Sequence, residues 1–185
     1  MATAQTTATR APAPATPALA PPDASTGRGR AGALALGRVL LGFVFLWSFL
    51  DSTFGLYSTS PDESWIAGES PTSGYLGSLD GTFAGVFQAL AGQAWVDWMF
   101  MLGMALVGSA LVLGVAMRLA AVGAIALMGS LWLTSLPLEH NPFVDEHLMY
   151  AVFAVVLAAV HAGNAFGAGG LWSRLPLVRR TRWLA

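Results

Sequence analysis

Arg38 is the only charged residue in the apolar run from Ala33 to Leu50. An ionisable group inside such a run is costly and usually faces a protein interior. It follows Arg30 by eight residues, which at 1.5 Å per residue puts it roughly 8–12 Å from the inner interface. Two readings are open: the long side chain snorkels back to cytoplasmic headgroups, or the guanidinium points inward and donates to a quinone carbonyl, a lipid phosphate or an interior acceptor.

A second group gathers at the ends of other apolar runs. Asp51 closes the first, Asp97 opens the second, and Glu139, His140, Asn141, Asp145, Glu146 and His147 crowd the turn before the fourth. Crowded carboxylates raise one another's pKa, and an adjacent imidazole then exchanges protons near neutral pH, as a proton-coupled quinone or substrate site requires. The competing reading is that acids at span ends and helix N-termini satisfy the helix dipole and the topology rule, which suits Asp97 and Asp145. The spacing matches no zinc or calcium pattern, so no metal site is expected.

His161 lies 14 residues after His147. On one continuous helix the two fall near a common face, about 21 Å apart along the axis. Two histidines so placed are a haem-bundle spacing, but no other span contains a histidine, so bis-histidine ligation needs a second chain. A hydrogen-bonded His161 beside Asn164 is the expected state. Cysteine is absent, which excludes thiol–disulfide electron transfer and thiolate ligation of iron–sulfur clusters by this chain alone.

These residues need a framework, and composition specifies it. Of 185 residues, 55% are hydrophobic and 10% charged, too apolar for a soluble domain of this size. Four runs suit a hydrocarbon core about 30 Å thick: roughly 33–51, 95–114, 118–136 and 147–166. All nine basic residues are arginines. Apart from Arg38 they precede the first run, fill the gap between the second and third, or follow the fourth, whereas every acid except Asp23 takes the alternate ends. Arginines resist translocation, so both termini are expected in the cytoplasm. The expected fold is all-α: an integral membrane four-helix bundle with a structured outer loop between helices 1 and 2. Its divisions are a disordered cytoplasmic tail (1–31), a membrane domain (32–172) and a basic cytoplasmic tail (173–185). Arg38 interrupts any secretory h-region, so the first run reads as an uncleaved span. Abundant Ala, Gly and Arg without Lys hint at a GC-rich bacterial genome.

Within the outer loop, Trp65, Ile66, Tyr75 and Leu76 alternate with the turn formers Gly68, Pro71 and Gly74. Phe83, Phe87 and Leu90 follow at helical spacing, so a short interfacial helix is expected and the loop should cap the outer end. Trp47, Trp95, Trp98, Trp132 and Tyr150 form an outer aromatic belt. Ala120 with Ala124, and Ala154, Ala158 and Ala162, form small-residue packing seams. The Arg174–Arg182 tail with Trp172 and Trp183 reads as an anionic-lipid contact, and nothing suggests nucleic acid. Interior polar residues in spans two and three are few (Ser109, Ser130, Thr134), so a wetted conduit is disfavoured.

Several short motifs in order resemble the DoxX/DoxD family of bacterial membrane proteins. They are Trp47-Ser48-Phe49-Leu50-Asp51 with Phe54-Gly55-Leu56, then Trp65 and Gly68 followed by Ser70-Pro71-Thr72 with Gly74-Tyr75-Leu76. Asp97-Trp98 with Met101, Arg118, and Asn141-Pro142 with Asp145-Glu146-His147 follow. The resemblance runs from Leu34 to Trp172. It implies a four-helix membrane bundle, and some relatives form the membrane subunit of thiosulfate:quinone oxidoreductase. One departure matters: relatives often carry Lys after the aspartate of the first span, where this chain has Ser52. No base lies on the outer face, which disfavours an unassisted site for a dianion such as thiosulfate. The expected function is a quinone-interacting membrane subunit of an oxidoreductase whose redox centre resides in a partner subunit, with no intrinsic cofactor. The alternative is a non-catalytic scaffold or assembly subunit. Candidate catalytic residues are Arg38, Asp51, Asp97, Asp145, Glu146 and His147; candidate quinone- or cofactor-binding residues are Arg38 and His161.

Overall fold

A computed structural model describes residues 24–139 and 141–181, so His140, most of the N-terminal tail, and Arg182 and Trp183 of the C-terminal tail lie outside the described residues. Among the described residues the chain is all-helical, without strands. Helix α1 (Ala24–Phe54) leads into a loop of two 3-10 turns (Pro61–Glu63 and Trp65–Ala67) and two short helices, α2 (Ser73–Gly77) and α3 (Ala84–Gln88). Then come α4 (Ala94–Leu113), α5 (Met117–Thr134) and α6 (Glu146–Ala159), a 3-10 turn (Ala162–Asn164), α7 (Gly169–Trp172) and α8 (Pro176–Arg180).

Three of these helices, α1, α4 and α5, are long and apolar enough to cross a membrane. Their exposed faces support that use. Leu36, Leu40, Phe43, Leu102, Leu106, Val122 and Ile125 all stand exposed around the outside, more contiguous apolar surface than a water-facing protein tolerates. The core holds Leu41, Phe45, Met104, Leu111, Ala124, Met128, Ala154 and Leu157.

Two boundaries differ from the sequence expectation. Helix α1 takes in residues 24–31, assigned above to the tail, because the run beyond Pro22 has no further proline to break it. The fourth span, expected over 147–166, stops being helical at Ala159. His161 turns left-handed (φ 53°), a conformation to which His is better suited than most residues. The chain then folds inward, so that a Cβ on Gly163 would come within 2.5 Å of Gly114 O. At 14 residues α6 is about 21 Å long, short of a full bilayer core by itself.

Helices α1, α4, α5 and α6 pack in sequence, and α6 returns to touch α1. Glycines set the closest crossing. A Cβ on Gly108 would lie 2.7 Å from Leu46 N, and one on Gly42 would lie 2.8 Å from Val112 N, so α1 and α4 meet backbone to backbone as small-residue membrane interfaces do. Ala120, Ala124, Ala154 and Ala162 are buried at the α5–α6 side. The outer loop has its own small core, Leu76, Leu79 and Val96, with Phe87 and Leu90 packed on it. The expected interfacial helix is α3, reduced to little more than one turn and facing this cluster. Tyr75 Oη bonds Thr134 Oγ1 at 2.7 Å, and Thr82 N–H donates to Leu136 O at 3.2 Å, fastening the loop over the end of α5.

Candidate functional site

The inner end is built around Arg38, which is 1% exposed. It does not snorkel. Its Nη1 donates to Leu111 O at 2.7 Å and Val112 O at 2.9 Å, and Nη2 reaches Ala165 O at 3.5 Å. The acceptors are carbonyls of the last turn of α4, a helix with no basic residue there of its own. The last four carbonyls of a helix lack intrahelical partners, and here each is satisfied. Ala110 O accepts from Gly114 and Val115 N–H, Leu111 O from Gly114 N–H and Arg38, Val112 O from Arg38, and Leu113 O from Ala168 N–H at 2.8 Å. Arg38 is thus a C-cap supplied by a neighbouring helix, favourably placed at the negative dipole end. Of the acceptors considered from sequence, the interior one is occupied. It stands level with the α4 terminus rather than deep within the bundle.

At the outer end, Asp51 and Asp97 each hold a stretch of the loop. Asp51 Oδ1 accepts from Leu56 N–H (3.1 Å) and Tyr57 N–H (2.5 Å); Oδ2 accepts from Ser58 N–H (3.1 Å), Thr59 N–H (3.2 Å) and the Ser58 hydroxyl. A carboxylate with five donors has little capacity left for a substrate. Asp97 Oδ1 accepts from Ser70 Oγ (2.8 Å), Thr72 Oγ1 (2.6 Å) and Thr72 N–H (3.3 Å). Trp98 beside it packs edge-on against Trp65, with centroids 4.7 Å apart. Both acids are buried and act as loop anchors.

The expected crowd of mutually perturbed carboxylates does not form. Among the described residues no three His, Asp or Glu side chains converge closely enough to hold a metal ion. Glu139 and Glu146 are exposed, and Asn141 Oδ1 closes a turn by accepting from Phe143 and Val144 N–H. Asp145 caps α6, its Oδ1 accepting from Leu148 N–H at 3.0 Å, and its Oδ2 lies 2.7 Å from His147 Nδ1. Burial pushes the Asp145 carboxyl up, but the Leu148 N–H and the hydrogen bond and charge of His147 outweigh it and hold the pKa below the usual aspartate value. The direction is opposite to the one crowding predicts.

His161 is not on the same helix as His147, so the common face expected for the pair does not exist. Its side chain is exposed and makes no hydrogen bond among the described residues, which also removes the expected bonded pair with Asn164. Instead it lines a small cavity of about 120 Å³ at the inner end with Gly114, Asn164, Trp172 and Ser173.

A larger cavity lies at the outer end, where the sequence pattern gave no direct expectation of one. Beneath the loop lies an apolar cavity of about 540 Å³, walled by Met99, Phe100, Met104, Leu127, Phe87 and Leu90. Its polar groups are Ser48, Ser52, Thr72, Tyr75, Ser130, Thr134 and His147. Several of these hydroxyls already donate: Ser48 to Val44 O, Ser130 to Leu127 O and Thr134 to Leu131 O. Thr134 therefore accepts from Tyr75. With Nδ1 facing Asp145, His147 has Nε2 left to meet an occupant. The legible signal was Ser130 and Thr134, one helical turn apart in an otherwise apolar span. The size lies within the range of small-molecule sites, and an apolar wall with a few converging polar groups is their usual lining. Compared with known protein families, curated proteins and solved structures, the chain matches none of them.

Proposed function

We propose that this chain is a DoxX/DoxD-like multi-pass protein of the bacterial cytoplasmic membrane that binds a quinone beneath its outer loop, as the membrane subunit of an oxidoreductase. In this reading α6 and the following 3-10 turn make the fourth crossing, and the arginine-rich end with both termini is cytoplasmic. The carrying observation is the 540 Å³ apolar cavity with His147 in its wall. The residues fit a prenylated ring: Met99, Phe100, Met104 and Leu127 offer apolar surface, while Ser52 and His147 offer polar contacts to ring oxygens. A quinone would supply two-electron chemistry, with electrons delivered by a partner subunit. His147, oriented by Asp145, exchanges a proton at Nε2 with whatever oxygen lies beside it. Asp51 and Asp97 position the loop that covers the site, and Arg38 takes no part in it. A thiosulfate-oxidising partner belongs to the same reading, since no base is present on the outer loops to hold that dianion unaided.

Photoaffinity labelling with an azidoquinone in proteoliposomes tests it. Saturable labelling of the 127–134 stretch or Tyr75, reduced by Ala126→Trp, is expected; labelling that does not saturate, or that ignores the cavity-filling change, overturns the reading. The scaffold alternative draws on one observation: Arg38, Asp51 and Asp97 are all consumed by internal hydrogen bonds. It gains if Ala126→Trp leaves the partner enzyme's activity intact.

A further inference from the structure

The inner cavity and the buried guanidinium behind it make a second site, independent of the quinone reading. Arg38 is fully enclosed, has no carboxylate partner among the described residues, and its Nε has no hydrogen-bond partner. Two backbone carbonyls, with a distant third, solvate the charge without neutralising it, and a buried unneutralised charge attracts an anion across a low-dielectric wall. That wall is thin because it is glycine. A Cβ on Gly114 would overlap Arg38 Nη1, and one on Gly163 would strike Met117 Cγ at 2.9 Å. Gly114 and Gly163 both line the 120 Å³ cavity.

The cavity supplies donors on its open side. His161 carries at least one ring N–H in either protonation state, and Asn164 contributes an amide. Both side chains are exposed at the mouth. The surroundings match in sign: α4, α5 and α6 present no acid at this end, whereas Arg118, Arg174, Arg179 and Arg180 belong to the segments that form it. Exposed apolar side chains are interspersed in sequence among the lining residues 161–173. Phe166 is 73% exposed and Leu171 68%, on the strand of chain between His161 and α8. An anion-binding pocket with exposed apolar side chains close by in the chain fits a phosphate that carries acyl chains rather than one in free solution.

We propose that this inner cavity binds the phosphate headgroup of an anionic phospholipid, with His161 and Asn164 as its direct donors and Arg38 as the charge behind it. The purified chain in detergent, incubated with phosphatidylglycerol, phosphatidylcholine or inorganic phosphate and read by native mass spectrometry, tests this. Phosphatidylglycerol should be retained at least about tenfold more tightly than phosphatidylcholine. His161→Gly combined with Asn164→Ala should cut that retention about tenfold, the scale of losing roughly one charge-assisted hydrogen bond. Glycine suits the left-handed backbone at 161, so an unchanged melting midpoint in lipid-free detergent identifies the loss as one of binding. Equal retention of both lipids, or full retention by the folded double variant, overturns the proposal. Displacement of phosphatidylglycerol by millimolar inorganic phosphate overturns the lipid source, because the site then takes a free anion.

Discussion

Replacing Arg38 with Met should destabilise the bundle while sparing the outer cavity. Two of its hydrogen bonds, at 2.7 and 2.9 Å, have good geometry; the third, at 3.5 Å, lies beyond the useful range and adds little. A hydrogen bond from a charged donor contributes about 1.5–3 kcal/mol net, so two amount to about 3–6. Met also removes a desolvated cation whose Nε is unpartnered, which returns about 1–3 kcal/mol. The expected net cost is about 2–4 kcal/mol, since Val112 O is then left without its donor. Arg38→Lys keeps the charge but not the planar fork, so it should recover no more than about half of that. Equilibrium unfolding in mixed detergent micelles, followed by tryptophan fluorescence, measures both. If Arg38→Met stays within about 0.5 kcal/mol of the parent, a change typical of an uninvolved surface site, the capping role is refuted. Loss of azidoquinone labelling at unchanged stability would instead make Arg38 a ligand.

Asp51→Ala removes the acceptor for five donors and should free the 56–59 turn, at a cost of about 2–4 kcal/mol by the same charged-bond scale. Chymotrypsin cleavage after Tyr57, already 85% exposed, should accelerate at least about tenfold, and an unchanged rate would show that the turn stands without its anchor. Gly108→Ala should wedge α1 from α4, because its Cβ would meet Leu46 N at 2.7 Å; about 1–3 kcal/mol of overpacking is expected in the same unfolding assay. For Asp145 the folded pKa lies below the unfolded one, so its contribution is complete above the ordinary aspartate range. That contribution is lost as pH falls through the depressed folded value. Amide exchange at Leu148, corrected for intrinsic rates, should therefore lose protection only in acid, and Asp145→Asn should flatten the profile. A profile identical in the variant would dissociate the cap from the titration.

Much of the framework was legible because apolar length and arginine placement report directly on it. The α4 and α5 limits fall within two residues of the expected spans, as Gly114 supplies a left-handed cap and Met117 opens the next helix after the left-handed Ala116. Helix α6 was misread because hydropathy continues past Ala159 while the backbone does not. The turn at His161 is set by how tightly Gly163 must approach the α4–α5 connection, a tertiary fact with no periodic signature. Gly42 and Gly108 escaped notice for a related reason: two glycines 66 positions apart reveal themselves as one crossing only when the helices are placed together.

The candidate site was harder to see because chemistry-bearing residues and site-forming residues are different sets here. Charge draws the eye to Arg38, Asp51 and Asp97, but Arg38 and Asp51 are spent mainly on backbone groups and Asp97 on the Ser70 and Thr72 hydroxyls with Thr72 N–H. Their structural contribution is indirect but specific. Asp51 fixes the first part of the loop and Asp97 fixes the Ser70–Thr72 turn, next to which Tyr75 bonds α5 and Leu76 packs on Val96, both lining the cavity that His147 also lines. If that chain of support holds, Asp97→Ala should lower azidoquinone labelling at Tyr75 more than in the 127–134 stretch, because the loop shifts while α5 stays. Equal losses at both would mean that Asp97 acts on the ligand itself, and its place would be in the site rather than beneath it.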